Sequence, residues 1–304
     1  MVLEVHTEFR GHMLQHERSW EKNVSAARAE VNTINTLFPR QLSDDIRICF
    51  AAWLCFACAA DDILETISPD EGEAVLYECI GIVQGYSPFG GPSHTSDTRI
   101  QHMAEILHSH CSKHLSRSTC RVFFQEVCAV LQAHVDEKYF LSGRLLTDMP
   151  TYMTIRSRTI SLNPFFEIIK AECLPEIYRL SPTWQQLQHH VSSTAGLQND
   201  LIGLERDLEE GEQLNAVVVL MAANNSDQPP GAQLAACVAL AVAEHNKSIA
   251  QVVALVSCVA KLGETMPDSV ADTLLHISLL CETHLRWATS AKRYKASFDT
   301  RDNE

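Results

Sequence analysis

Apolar residues recur at helical spacing along nearly the whole chain, and strand-like alternation bounded by hairpin turns is almost absent. A chain patterned this way buries its apolar stripes by packing helix on helix. The periodicity predicts helices over about 16–37, 43–66, 71–86, 98–113, 117–142, 149–160, 163–172, 183–208, 213–223, 231–245, 247–262 and 267–292. Ser43, followed by Asp44 and Asp45, reads as the N-cap of the second of these. Breakers sit at the joints. "GYSPFGGPSHTSDT" at 85–98 and "NNSDQPPGA" at 224–232 read as loops, and Pro150, Pro164, Pro175, Pro182 and Pro267 mark helix starts or breaks. No linker divides the 304 residues into compositional halves, and there is no internal repeat. The expectation is one all-α domain, a single-domain helical bundle over 1–304, with a core at about 15–295 and flexible ends at about 1–14 and 296–304.

Charge narrows the function. The chain has 24 basic and 38 acidic residues, a net charge of −14, and so lacks the basic footprint that nucleic acid demands. An anionic substrate would be repelled unless cations came with it. The eleven cysteines are scattered and odd in number, which suits a reducing compartment. Cys55 and Cys58 have CxxC spacing, but they lie in an apolar run with no second pair and read as core packing. The N-terminus "MVLEVHTEFRGH" has no basic start and no apolar h-region, so it does not read as a signal peptide. The longest apolar run, "ICFAAWLCFACAA" at 48–60, falls short of the roughly 20 residues that span a bilayer. The expectation is a soluble, cytoplasmic protein with no membrane insertion.

Two oxygen-rich patches fall on helices. In "CFACAADDILETI" the apolar run leads directly into Asp61, Asp62 and Glu65. Asp61 and Glu65 share a helix face at i, i+4, and their mutual repulsion would be relieved by a hard divalent cation such as Mg²⁺ or Mn²⁺. A helix simply emerging into water accounts for the same pattern. In "QNDLIGLERDLEE" at 198–210, Asn199, Gly203 and Asp207 lie at i, i+4 and i+8 and drift only about 80° round the helix. Arg206 flanks Asp207 and has the reach to meet a phosphate; a salt-bridged solvent face is the plainer alternative. His12 and His16 also stand at i, i+4, but no helix-borne third ligand accompanies them, and adjacent His189 and His190 point to different faces.

Taken together and in order, these segments resemble the class I terpene synthases, or terpene cyclases. Their first metal motif, DDxx(D/E), is matched by "DDILE". Their second, N-D-x-x-S/T-x-x-x-E with a basic residue before its end, is matched by "NDLIGLERD" at Asn199, Asp200, Arg206 and Asp207. Their basic YxxxRRxT segment is matched by "YMTIRSRT" through Tyr152, Arg156, Arg158 and Thr159. Their W-x5-R-Y segment is matched by Trp287, Arg293 and Tyr294. The chain departs at Gly203, where Ser or Thr is usual, at Asp207 in place of Glu, and in the split doublet Arg156–Ser157–Arg158. Ser161 stands where a helix-break glycine often lies.

The resemblance implies the class I isoprenoid synthase fold, an antiparallel bundle around a central apolar cavity. It also implies ionisation of a linear prenyl diphosphate, farnesyl foremost and geranyl next, followed by cyclisation and release of terpene and pyrophosphate. It implies three Mg²⁺, with Mn²⁺ as an alternative, on Asp61, Asp62, Glu65, Asn199 and Asp207. Arg156 (preferred over Arg158), Arg206, Arg293 and Tyr294 would meet the diphosphate. Phe50, Trp53, Phe56 and Trp287 are aromatic candidates for the cavity wall; for the first three, core packing is the competing reading. A homodimer is compatible with all of this. The related chain-elongating prenyltransferases carry two DDxxD motifs, and the Asn199 start of the second motif argues against them. A helical protein that kept the scaffold and lost turnover is the third reading.

Overall fold

The computed structural model describes residues 1–14, 19–85, 98–179, 181–224, 229–261 and 267–290. Among them the regular elements are fourteen α-helices and no strand, as the periodicity predicts. In chain order they are α1 (Val2–Met13), α2 (Trp20–Leu37), α3 (Asp44–Leu64), α4 (Pro69–Val83), α5 (Arg99–His114), α6 (Arg117–Leu141), α7 (Met149–Thr159), α8 (Asn163–Cys173), α9 (Glu176–Arg179), α10 (Pro182–Glu210), α11 (Ala216–Ala223), α12 (Pro230–Lys261), α13 (Asp268–Ser278) and α14 (Leu280–Ser290). The chain groups into two compact units, residues 1–135 with 161–172 and residues 136–160 with 173–304. No helix among the described residues is long and apolar enough to cross a membrane.

The first unit is built on α3. Ser43 Oγ accepts the Ile46 N–H and starts the helix as its N-cap. From Ile46 to Phe56 nearly every side chain is buried, as expected of a helix packed on several sides; α1, α2 and α5 all contact it. Phe38, Phe50 and Phe165 form an aromatic triad with ring centroids 4.8–5.2 Å apart. Trp53 packs on Phe56 at 5.7 Å and on Phe123 at 6.2 Å. These contacts make Phe50, Trp53 and Phe56 members of the aromatic core of this unit.

The N-terminal segment, left out of the predicted helices, is α1. Its anchor is polar. Arg10 Nη1 donates to Glu30 and, at 3.0 Å, to the Cys55 sulfur, while His6 Nε2 lies 2.6 Å from the other Glu30 oxygen. Periodicity misses such a helix because its buried positions include His6, Thr7 and Arg10. All eleven cysteines are free thiols, and Cys58 of the CxxC pair is exposed.

Trp53 also carries a hydrogen bond. Its indole N–H donates to the Ser161 carbonyl at 2.8 Å. Ser161 has φ +64°, the left-handed region that disfavours any residue with a Cβ. Trp53→Phe removes this hydrogen bond and leaves a void. We expect a loss of about 2–4 kcal/mol, read as a lower denaturant midpoint at unchanged slope.

The second unit is built on α10, which contacts α7, α11, α12, α13 and α14. Ser181 caps it, Pro182 occupies its first turn, and Gly211 ends it at φ +74°. A core of Phe140, Tyr152, Ile155, Leu197, Ala216, Val217, Val219, Cys237 and Ala241 lies on its flank. Two helix boundaries differ from the predicted ones. α12 runs unbroken through Asn246, because Asn disfavours a helix by only ~0.7 kcal/mol. The predicted 267–292 helix breaks at Leu279, where Glu282 N–H bonds back to Leu279 O at 3.0 Å in a tight turn. No Gly or Pro marks that break.

Candidate active site

At the end of α3 the burial pattern sorts the motif residues. Ala60, Ile63 and Leu64 are buried, whereas Asp61, Asp62 and Glu65 are exposed, with Glu65 at the C-cap. Ile63 and Leu64 anchor the last turn while three carboxylates gather within it. These are hard oxygen donors, the chemistry a divalent cation of the magnesium type requires.

The second cluster lies within the second unit and is organised by a residue given no role from sequence. Asp200 is 1% exposed. Its Oδ2 accepts from the Tyr152 hydroxyl at 2.6 Å and from the Ala216 N–H at 3.1 Å. Its Oδ1 accepts from Arg156 Nε at 3.0 Å and Nη2 at 2.8 Å. Burial pushes the Asp200 carboxyl above its ordinary value, and the Arg156 charge, the Tyr152 hydroxyl and the Ala216 N–H pull against that. Burial, then the Asp200 charge, pushes the Tyr152 phenol well up, so it remains a proton donor. Tyr152 and Arg156 stand one turn apart on α7, and that shared face is what meets Asp200.

Arg156 also reaches the motif's first residue. Its Nη2 donates to Asn199 Oδ1 at 2.9 Å. The approach depends on Gly196 of α10, where an added Cβ would lie 3.0 Å from Arg156 Cγ. Arg158 is exposed. Of the split doublet, Arg156 is therefore the one the fold brings to Asn199.

Asp207 is buried and held on both oxygens. Arg206 Nη2 donates to Oδ1 at 2.7 Å, and Asn215 Nδ2 donates to Oδ2 at 3.0 Å. Asn215 in turn caps α11 through Val217 N–H and donates to the Asp200 carbonyl. Gly203 explains the arrangement: a Cβ there would lie 3.2 and 3.4 Å from the Asp207 carboxylate oxygens. The carboxylate occupies room that a serine or threonine side chain would need. Gly203→Ser is accordingly expected to destabilise by about 1–2 kcal/mol, because overpacking outweighs serine's better helix propensity. A fall in the thermal midpoint checks this.

Both clusters offer oxygen donors that fit a hard cation; in the second, Asn199 Oδ1 and Asp207 Oδ1 each face a guanidinium and Asp207 Oδ2 faces the Asn215 amide. Among the described residues no three His, Cys, Asp or Glu side chains form a ready-made metal cage. Trp287, on α14, is half-buried with its ring 5.6 Å from that of His284. Arg293, Tyr294 and His16 lie outside the described residues. Sequence reasoning assigned no role to Asp200, Asn215 or Gln198. The signals present were the acidic second residue of the Asn–Asp pair and an asparagine placed just before an apolar helical run.

A family described as "Terpene synthase family 2, C-terminal metal binding" matches residues 52–251. That span takes in "DDILE", the Tyr152–Thr159 segment and the Asn199–Asp207 stripe. Among solved structures, the chain is similar to a linalool/nerolidol synthase from Streptomyces clavuligerus in complex with 2-fluorogeranyl diphosphate. The TM-score is 0.73 at 17% identity, over 96% of this chain and 94% of that one. Hedycaryol synthase in complex with nerolidol gives 0.66 at 15% identity, over 94% and 92%. A variant of cucumene synthase gives 0.67 at 17%, over 94% and 95%. No curated protein matches the chain in sequence. Acidic and Asn–Asp motif helices in an all-α fold, inside a family match that spans about two thirds of its residues, decide the matter: the chain belongs to the terpene synthase family and is a class I enzyme of that family.

Proposed function

We propose that the enzyme ionises a linear prenyl diphosphate, farnesyl diphosphate foremost and geranyl diphosphate next, and converts the organic cation to a terpene. The observation that carries the reading is the Arg156–Asn199–Asp200 contact, which puts a fixed positive charge beside the motif's first donor oxygen. Similar proteins hold 2-fluorogeranyl diphosphate and nerolidol, which supports a substrate of this class.

The donor chemistry fits Mg²⁺, three per site by family resemblance, with Mn²⁺ as the alternative; Asp61, Asp62, Glu65, Asn199 and Asp207 would hold it. When bound, the metal supplies Lewis-acid stabilisation of the leaving diphosphate. Arg156 and Arg206, already held by Asp200 and Asp207, would donate to that anion with their charge fixed before the reaction begins, and Arg293 and the Tyr294 hydroxyl are proposed as further donors to it. Asp200 and Tyr152 hold Arg156 in place. Trp287 offers an aromatic face to the passing cation; Phe50, Trp53 and Phe56 are proposed as further aromatic candidates for that role, with core packing as their first role. Both units serve one catalytic domain in this reading, and eleven free thiols support a cytoplasmic setting.

Gly203 and the engagement of both Asp207 oxygens favour one second reading, a protein that binds the diphosphate without turnover. One experiment separates the two. Geranyl, farnesyl and geranylgeranyl diphosphates are offered separately with Mg²⁺, pyrophosphate is assayed, and products are identified by gas chromatography–mass spectrometry. Pyrophosphate with a hydrocarbon or alcohol supports the synthase. Binding without release supports the second reading. A requirement for isopentenyl diphosphate sinks both in favour of chain elongation.

A further inference from the structure

A hydrogen-bond chain in the second unit fixes the protonation of a buried histidine. Gln198, one residue before Asn199, donates from Nε2 to the Cys281 carbonyl at 2.9 Å and lies 3.3 Å from His245 Nε2. A carbonyl only accepts, so the Gln198 amide orientation is set and its Oε1 is an acceptor. His284 Nδ1 lies 2.9 Å from that Oε1 and must carry the proton. In the neutral imidazole, Nε2 then holds the lone pair, and it makes no hydrogen bond among the described residues. His284 is 3% exposed, and its ring packs on Trp287.

We propose that His284 Nε2 is the base that ends the reaction by taking a proton from the terminal carbocation. This rests on the assignment of Arg156 and Asn199 to the diphosphate end of the site. In the step, the C–H bond beside the cationic carbon breaks and its electron pair becomes the new double bond. The proton goes to Nε2, leaving an imidazolium that returns it to solvent as product departs. Burial, with the Arg156 charge second, lowers His284 from 6.5 to about 4. The ring is therefore neutral at physiological pH and does not repel the passing cation. A carbocation is acidic enough to protonate so weak a base, and the resulting imidazolium sheds its proton readily. The Trp287 face beside it is the one proposed above to meet the cation.

The test uses the full chain with farnesyl diphosphate and Mg²⁺, measuring pyrophosphate and hydrocarbon together. In His284→Asn the side-chain amide keeps a donor for Gln198 Oε1 but removes the base. We expect pyrophosphate release within about threefold of the parent, while hydrocarbon per pyrophosphate falls roughly 10- to 100-fold. Alcohols or other olefins make up the difference. A merely structural histidine would move both quantities together or neither. An unchanged hydrocarbon ratio, or a parent enzyme that releases only alcohol, overturns the proposal. Should His284→Asn fail to fold, the same ratio is read in His284→Ala with and without added imidazole, where recovery of hydrocarbon supports the base and no recovery overturns it. A parent enzyme that releases no pyrophosphate from any prenyl diphosphate overturns the proposed function itself, and this step with it.

Discussion

Asp61→Ala and Asn199→Ala are each expected to lower turnover about 10³-fold or more, since losing several kcal/mol of charge stabilisation at the departing diphosphate has that effect on rate. The fold should survive both. Asp61 is exposed at the end of α3, where Ile63 and Leu64 do the anchoring, so its removal leaves the core of the first unit intact. Asn199 is half-buried and accepts from Arg156, but Arg156 keeps its two contacts with Asp200 when Asn199 is truncated. The expected loss of stability is that of one hydrogen bond to a charged group, about 1.5–3 kcal/mol at most. Circular dichroism therefore reports unchanged helicity while pyrophosphate release disappears. Full activity in either variant would remove that residue from the proposed metal site. A variant that lost helicity and activity together would instead place the residue in the scaffold.

How far the site was legible from sequence depends on whether its parts are local. "DDILE" lies within one helical turn, so its burial pattern follows from spacing alone: Ala60, Ile63 and Leu64 in, Asp61, Asp62 and Glu65 out. The preference for Arg156 over Arg158 also followed from spacing, because Tyr152 and Arg156 share a face of α7. What that face would meet did not follow. Asp200 is 44 residues beyond Arg156 in the chain, and periodicity says nothing of partners at that distance. The same holds for Gln198 and His284, 86 residues apart. In the sequence, Gly203 is a departure from the Ser or Thr usual in the motif. In the folded chain it is the space into which the Asp207 carboxylate turns, a relation visible only once Cβ positions are fixed. Helix ends followed the same division. Ser43 and Pro182 announce starts through local chemistry, whereas the break at Leu279 carries no Gly or Pro. The polar anchor of α1 was hidden because histidine and arginine occupy its buried face.

Asp200→Ala is expected to be the most destabilising change in the second unit, by about 3–5 kcal/mol, the range for removing one member of a buried ion pair. Three groups lose an acceptor at once. Arg156 loses the carboxylate it touches through two nitrogens, Tyr152 is left with only its longer bond to the Leu214 carbonyl, and the Ala216 N–H at the start of α11 loses the Asp200 oxygen. Because Ala216 and Tyr152 both belong to the core beside α10, the damage spreads into packing. Asp200→Asn separates charge from shape. An amide oxygen in the place of Oδ2 still accepts from both Tyr152 and Ala216, but the charge that restrains Arg156 is gone, so an intermediate loss is expected. Urea unfolding followed by circular dichroism measures both variants, and pyrophosphate release should fall in each, since without the two Asp200 contacts the guanidinium is held less firmly beside Asn199. If Asp200→Ala stays within about 1 kcal/mol of the parent, the size of an ordinary surface substitution, the hub is ornamental. Arg156 would then have to be held by something other than the carboxylate it touches.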